Sequence, residues 1–249
     1  MRFDDKHEPQ SFNELIFADK IARNTCERYV NGTPYKPLLL WGEPGTAKTT
    51  TARVIVKERL RKHGYSDDIE ELNGAGFKMD KMEQKLLNMA SIQRIIAGEA
   101  FIIINEFDEI DRDEQARFRA FMDQYKSMSF VVTTNEKPAA LGAKQKLMPA
   151  LLSRFELVEL AKPSVEDCLA RAQDIFAREG HTVSQQNLQV LLAGFSGDIR
   201  DFLPIVEQAV DQLKASNACA TATQVSITPS YLKVINGISS GTGGVACDE

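Results

Sequence analysis

Gly42-Glu43-Pro44-Gly45-Thr46-Ala47-Lys48-Thr49 is the stretch that decides how the rest of this chain is read. It follows an apolar run, Leu38-Leu39-Leu40-Trp41, and opens a segment of helical character from Thr50 to Arg61. Strand, glycine-bearing loop, Lys-Thr pair and helix, in that order, form a phosphate-binding loop. Backbone N–H groups of such a loop and the N-terminus of the helix behind it cradle an anion. Lys48 has the reach for the β- and γ-phosphates of a nucleoside triphosphate, and the Thr49 hydroxyl can hold Mg²⁺. Gly42 through Thr50 are therefore the candidate nucleotide contacts. An ordinary glycine-rich turn would not need Lys48 and Thr49 at that spacing. One letter departs from the pattern, because glycine is expected before the lysine and the chain has Ala47. If residue 47 takes helical dihedrals, its Cβ is sterically allowed. If the position needs a positive φ, alanine costs about 1 kcal/mol or more.

A phosphate loop needs a partner strand that ends in carboxylates. Phe101-Ile102-Ile103-Ile104, followed by Asn105-Glu106-Phe107-Asp108-Glu109, has that form. The usual pair is Asp-Glu, in which the first residue supports Mg²⁺ and the second polarises the attacking water. Here the first position is Asn105, which can orient a metal-bound water but brings no charge. Glu106 keeps the candidate general base, a role worth about 10²–10⁴-fold in rate. The bland reading is a core strand ending in a solvated acidic cluster.

Length suits one large or two modest domains, and the apolar and charged fractions are those of a soluble globular protein. A formal net charge of −5 argues against a generally basic nucleic-acid coat and leaves room for a local basic face. Cys26, Cys168, Cys219 and Cys247 lack the paired spacing of a zinc site and read as reduced thiols. The N-terminus is too charged for a signal peptide, and no apolar run approaches membrane-spanning length. The expected location is the cytoplasm, that of a host if the chain is phage-encoded.

Short apolar runs at Leu38–Trp41, Ile69–Leu72, Phe101–Ile104, Phe130–Thr134 and Leu157–Leu160 alternate with helical periods. That rhythm predicts an α/β fold with a parallel five-stranded sheet covered by helices. Lys162-Pro163-Ser164 breaks it. Ser164 with Asp167 resembles a capping box, and Gly180 offers a stop about four turns later. Helical periods then continue at Leu188–Leu192, Ile199–Leu213 and Pro229–Ile235. The expected layout is a nucleotide-binding domain over 1–160, a small all-α lid domain over 161–236 and a flexible tail over 237–249, with no further collar domain.

With both motifs in place, the chain resembles AAA+ P-loop ATPases of the sliding-clamp-loader group, such as replication factor C small subunits and the T-even-type phage loader. The likeness runs from about residue 5 to 215. The family's Glu-Lys-Tyr-Arg-Pro box stands here as Asp5-Lys6-His7-Glu8-Pro9, and its Glu-Leu-Asn-Ala-Ser-Asp segment as Glu71-Leu72-Asn73-Gly74-Ala75-Gly76. Asp113-Glu114-Gln115, Arg119 and Met122 are similar to the helix that follows the acidic strand in that family. The resemblance implies roles for three further residues. Asn135 would position water as sensor 1, Arg154 of Ser153-Arg154-Phe155 would reach a neighbouring subunit's ATP, and Arg200 of Gly197-Asp198-Ile199-Arg200 would act as sensor 2. It also implies ATP/ADP and Mg²⁺ as ligands, and other AAA+ subunits, a sliding clamp and primer-template or other double-stranded DNA as partners, with no membrane.

Lys78, Lys81 and Lys85 recur at helical spacing, and Arg117 and Arg119 follow the acidic strand. In the family the corresponding helices track DNA phosphates; otherwise they form a solvated face. Phe118, Phe121, Met122 and Tyr125 fit the i, i+3, i+4, i+7 pattern of a core-facing stripe. Three functional readings stay open at this point. One is a working ATPase that loads a ring on DNA, and another is a nucleotide-binding structural subunit that hydrolyses slowly or not at all because of Ala47 and Asn105. The third is a helicase-loader or transposition ATPase built on the same core.

Overall fold

The computed structural model describes residues 2–32, 36–62, 64, 69, 71–97, 100–126, 128–138 and 146–219. The expected segments Pro229–Ile235 and 237–249 lie outside them. Five strands, β1 (Leu38–Trp41), β2 (Glu71–Asn73), β3 (Ala100–Asn105), β4 (Met128–Thr134) and β5 (Glu156–Glu159), form one all-parallel sheet. Its spatial order is β2-β3-β4-β1-β5. The central strands are apolar on both faces, because both faces are covered.

Strand alternation divides the core in two. Leu39, Ile102, Ile104, Phe130 and Val132 point to one face, where they meet α4 (Met79–Ala97) and α5 (Arg112–Gln124). Leu38, Leu40, Phe101, Ile103 and Val131 point to the other, against α2 (Lys20–Val30) and α3 (Lys48–Lys62). Phe118, Phe121 and Met122 of α5 are buried, as their spacing predicts. Asp19 caps α2, its carboxylate accepting from the N–H groups of Ile21 and Ala22. Burial pushes the thiols of Cys26 and Cys168 up to about 12, so both stay protonated and inert. Among the described residues no helix is long and apolar enough to cross a membrane.

Two compact units emerge. The sheet unit comprises Glu8–Ser164, including the one-turn α6 (Pro149–Leu152), together with Gly197–Arg200. Within its described part, the helical unit comprises α1 (Phe3–His7), α7 (Val165–Arg178), α8 (Gln185–Leu191) and α9 (Ile199–Cys219) from Asp201 onward. Gly180, at φ 82°, ends α7 at the stop its sequence position predicts.

Residues 2–7 group with the helices rather than with the sheet, for a charge reason. The buried Glu179 carboxylate takes hydrogen bonds from Lys6, from Lys214 at 2.7 Å and from the fully buried His7 ring at 2.7 Å. These bonds, that of Lys214 foremost, hold its pKa near 2. Arg171 closes the arrangement by donating to the His7 carbonyl at 2.8 Å.

Candidate nucleotide site

The site is built at the carboxyl ends of β1, β3 and β4, where a parallel sheet presents its loops. A cavity of about 290 Å³ opens there. From the loop after β1 and the start of α3 it takes Pro44, Gly45, Ala47, Lys48, Thr49 and Thr50. From beyond β3 comes Glu106, and from the end of β4 come Thr133, Thr134 and Asn135. Arg200 completes the lining, and it belongs to the same compact unit. All of these residues but Thr133 and Thr134 are candidates from sequence, so the structure gathers both motifs and two of the resemblance-based positions into one cavity.

The loop's glycines are fixed by close approach. A Cβ on Gly42 would stand 2.3 Å from the Leu160 carbonyl oxygen, and one on Gly45 would stand 2.1 Å from the Asp198 carboxylate. Ile199 N–H donates to the Gly45 carbonyl at 2.8 Å, so the Gly197–Arg200 segment is strapped directly to the loop. The Asp198 carboxylate accepts from Arg200 Nε at 3.0 Å and Nη2 at 2.6 Å, and this pairing depresses its pKa to about 2.

Lys48 is nearly buried. Its Nζ donates to the carbonyls of Gly42 at 2.9 Å and Glu43 at 2.7 Å. Burial lowers its pKa to about 8, against the opposing pull of Asp108 and with the help of Arg200.

Ala47 resolves the alternative its identity left open: its φ is 59°, in the left-handed region. A non-glycine residue there is strained by roughly 1–2 kcal/mol. Ala47→Gly is accordingly expected to stabilise the protein by about 1 kcal/mol, less the entropy glycine restores to the unfolded chain. That raises the melting temperature, by at most about 2–4 °C, in a thermal unfolding experiment. A lower melting temperature would show that the alanine is not strained.

Glu106 shares this conformation, with φ 54° and ψ 47°. Among the described residues these two are the non-glycine positions with positive φ, and both line the cavity. The chain around Glu106 explains how the geometry is kept. Its N–H donates to Thr133 Oγ1 at 3.3 Å, and its Oε2 accepts from Asn73 Nδ2 at 2.8 Å. The Asn73 amide is gripped at its other end by the Ala75 N–H at 2.7 Å. Gly74 N–H donates to the Asn105 carbonyl at 2.7 Å, and a Cβ on Gly74 would come within 2.1 Å of the Glu106 carbonyl oxygen.

Asn105, assigned from sequence to the metal, lies outside the cavity lining. Its Nδ2 donates to Glu71 at 3.1 Å, and its Oδ1 accepts from Thr133 at 3.1 Å. Asp108, unassigned from sequence, is buried and accepts from Thr134 Oγ1 at 2.8 Å and from Asn135 N–H at 3.3 Å. It therefore fixes the backbone that carries Asn135 into the cavity. Asn73 and Asp108 could have been suspected from their places beside the two motifs.

Arg154 does not line its own chain's cavity. Phe155 is buried against Phe107, the neighbour of Glu106, with ring centroids 6.1 Å apart. Arg154 itself is half-buried and pairs bidentately with Asp123 at 2.7 Å for both bonds. Among the basic candidates, Lys78 pairs with Asp111 at 2.6 Å and Arg117 with Asp80 at 2.8 Å, while Lys81 and Lys85 stand exposed on α4 and Arg119 is half-buried.

The family model of the ATPase family associated with various cellular activities (AAA) matches residues 38–162. Replication factor C subunit 5 of Homo sapiens is 26% identical over 206 residues, which are 82% of this chain and 58% of that protein. Replication factor C subunit 3 of Saccharomyces cerevisiae is 27% identical over 209 residues, with the same two shares. The replication factor C large subunit of Methanococcus maripaludis is 25% identical over 206 residues, 79% of this chain and 40% of its own length. The chain thus spans about half the length of these curated relatives. Among solved structures, the Thermotoga maritima RuvB Holliday junction branch migration motor superposes with a TM-score of 0.67 at 16% identity, covering 95% of this chain and 73% of that one. That likeness is one of fold.

Proposed function

The chain belongs to the ATPase family associated with various cellular activities, and on that footing we propose that it is a clamp-loader-like ATPase subunit acting in DNA replication. The observation that carries the proposal is the convergence of Lys48, Thr49, Glu106, Asn135 and Arg200 on one cavity. The similarity to replication factor C subunits supports the replication setting.

ATP binds with its phosphates on the loop N–H groups and the first turn of α3. Lys48 leaves the Gly42 and Glu43 carbonyls for the phosphate oxygens, and Arg200 adds a second cation. Magnesium fits this donor set: a hard cation that keeps most of its waters needs few protein oxygens beside the phosphates, and the Thr49 hydroxyl lines the cavity. When bound, it neutralises phosphate charge and orients the terminal phosphoryl group. Asn135 orients the attacking water, and Glu106, once it lets go of Asn73, takes the proton. Arg154 acts on the neighbouring subunit. Hydrolysis then resets an assembly that places a ring on primer-template DNA. Lys78, Lys81, Lys85, Arg117 and Arg119 are the cations proposed to meet DNA phosphates, Lys78 and Arg117 by exchanging Asp111 and Asp80 for DNA.

A second reading is favoured by one observation, the hold of Asn73 on the Glu106 carboxylate. It makes the chain a nucleotide-binding subunit with little turnover of its own.

Titration of ATP against the protein between pH 6.5 and 9.5 tests the site. Lys48 must be charged to meet phosphate. Affinity should therefore be flat below its free-state pKa of about 8 and fall as pH rises through it, by up to tenfold per pH unit. No binding at pH 7 would overturn the nucleotide reading. Hydrolysis that does not rise on adding a ring protein, primed DNA and partner subunits would overturn the loader reading alone.

A further inference from the structure

We propose that Arg53 and Glu71 are positioning residues for Glu106, acting through Asn105, and that an amide at residue 105 is required by this relay. The proposal rests on the reading of Glu106 as the general base.

Donors run from Glu106 through Thr133 and Asn105 to the Glu71 carboxylate, and Arg53 donates into that carboxylate from the other side. Arg53, one helical turn beyond Thr49 on α3, donates to Glu71 from Nε and, at 3.0 Å, from Nη2. Asn105 Nδ2 donates to the same Glu71 carboxylate at 3.1 Å. Thr133 Oγ1–H donates to Asn105 Oδ1 at 3.1 Å, and the Glu106 N–H donates to Thr133 Oγ1 at 3.3 Å. Glu71, paired with Arg53, is an acceptor only, so it must face the amide's N–H. The Thr133 hydroxyl has one proton; since it accepts from Glu106, that proton goes to Asn105. Residue 105 must therefore donate on one side and accept on the other. Asparagine does both, whereas an ionised aspartate can only accept.

Aspartate at 105 would bring a carboxylate to about 3 Å from Glu71, where like charges repel. The two acids cannot both be ionised there unless Arg53 turns to serve the pair, which breaks its fork on Glu71. The relay ends on the backbone N–H of a residue held at φ 54°, so slack in it is felt first as movement of Glu106. Asn105 read alone is a metal ligand without its charge. Read with Glu71, it is the group that lets a carboxylate sit on the neighbouring strand.

A polarity swap tests this. Asn105→Asp should lower kcat about tenfold or more, the effect of losing one hydrogen bond to a carboxylate, with ATP affinity changed less than about twofold. Hydrogen exchange of the Glu106 amide should quicken. Adding Glu71→Gln should return both readouts towards wild type, because the amide it places on β2 can donate to the new carboxylate while Thr133 still donates from the other side. Arg53→Gln, at a partly exposed side chain, should lower kcat in the same sense without loss of fold. Faster turnover or tighter Mg²⁺ dependence in Asn105→Asp would overturn the proposal, and so would a double variant no better than the single one. If Glu106→Gln leaves hydrolysis untouched, the assignment of the base fails, and exchange at the Glu106 amide still decides the relay.

Discussion

Replacing Arg154 by alanine is expected to lower assembly-stimulated hydrolysis by about 10³-fold or more, while the variant's own ATP affinity stays within about twofold of wild type. The split follows from position. Arg154 is absent from the lining of its own chain's cavity, so it contributes little to binding there. Yet it projects from a turn that is held firmly: Phe155 is buried, and the Arg154 N–H bonds to the Leu151 carbonyl at 3.0 Å. In the free chain the guanidinium is held by Asp123 and by the Ala150 carbonyl of its own turn. Asp123 is exposed and Arg154 half-buried, so solvent screens the pair and a phosphate brought by a neighbouring subunit can replace the carboxylate. The measurement is steady-state hydrolysis with partner subunits and primed DNA. Mixing Arg154→Ala with Glu106→Gln chains adds a sharper check, because intact sites then meet intact fingers at a fraction of the interfaces and part of the activity should return. Equal stimulated rates in wild type and Arg154→Ala would remove its role in trans.

Glu106→Gln is expected to reduce turnover by about 10²–10⁴-fold, again with nucleotide affinity nearly intact. Glutamine keeps the shape of the side chain and can still engage the Asn73 amide after a flip of its own, so the backbone at φ 54° has no new reason to move. What is lost is the carboxylate's capacity to accept a proton from water. Single-turnover hydrolysis beside a binding titration separates the two effects. Undiminished hydrolysis would leave the chain without its base, and a rate near zero in wild type as well would favour the subunit that binds nucleotide and hardly turns over.

The phosphate loop, the acidic strand and the five-stranded parallel sheet were legible because each is a local pattern. Leu38–Trp41 followed by Lys48-Thr49 needs no knowledge of distant contacts. Boundaries were less so. The apolar run Ile69–Leu72 predicts β2 there, yet the strand lies at Glu71–Asn73, because polar Asn73 joins the sheet through its backbone, in register with Asn105. The conformation of Ala47 could not be read, since alanine accepts either dihedral region and the loop decides. Asn105 was legible as an oddity and illegible in purpose. Its partners come from three other elements: Glu71 and Thr133 touch it directly, and Arg53 acts through Glu71. Adjacency in sequence places residues 2–7 with the sheet. The buried carboxylate that claims them is Glu179, more than 170 residues away.

The contact between the loops after β2 and β3 carries a mechanical consequence. Asn73 is gripped at both ends of its amide, Gly74 is bonded to the Asn105 carbonyl, and no side chain separates Gly74 from the Glu106 carbonyl. There is no soft packing in this joint to absorb a displacement. A displacement of Gly74 therefore meets the Glu106 backbone directly, and a displacement of Asn73 meets its carboxylate.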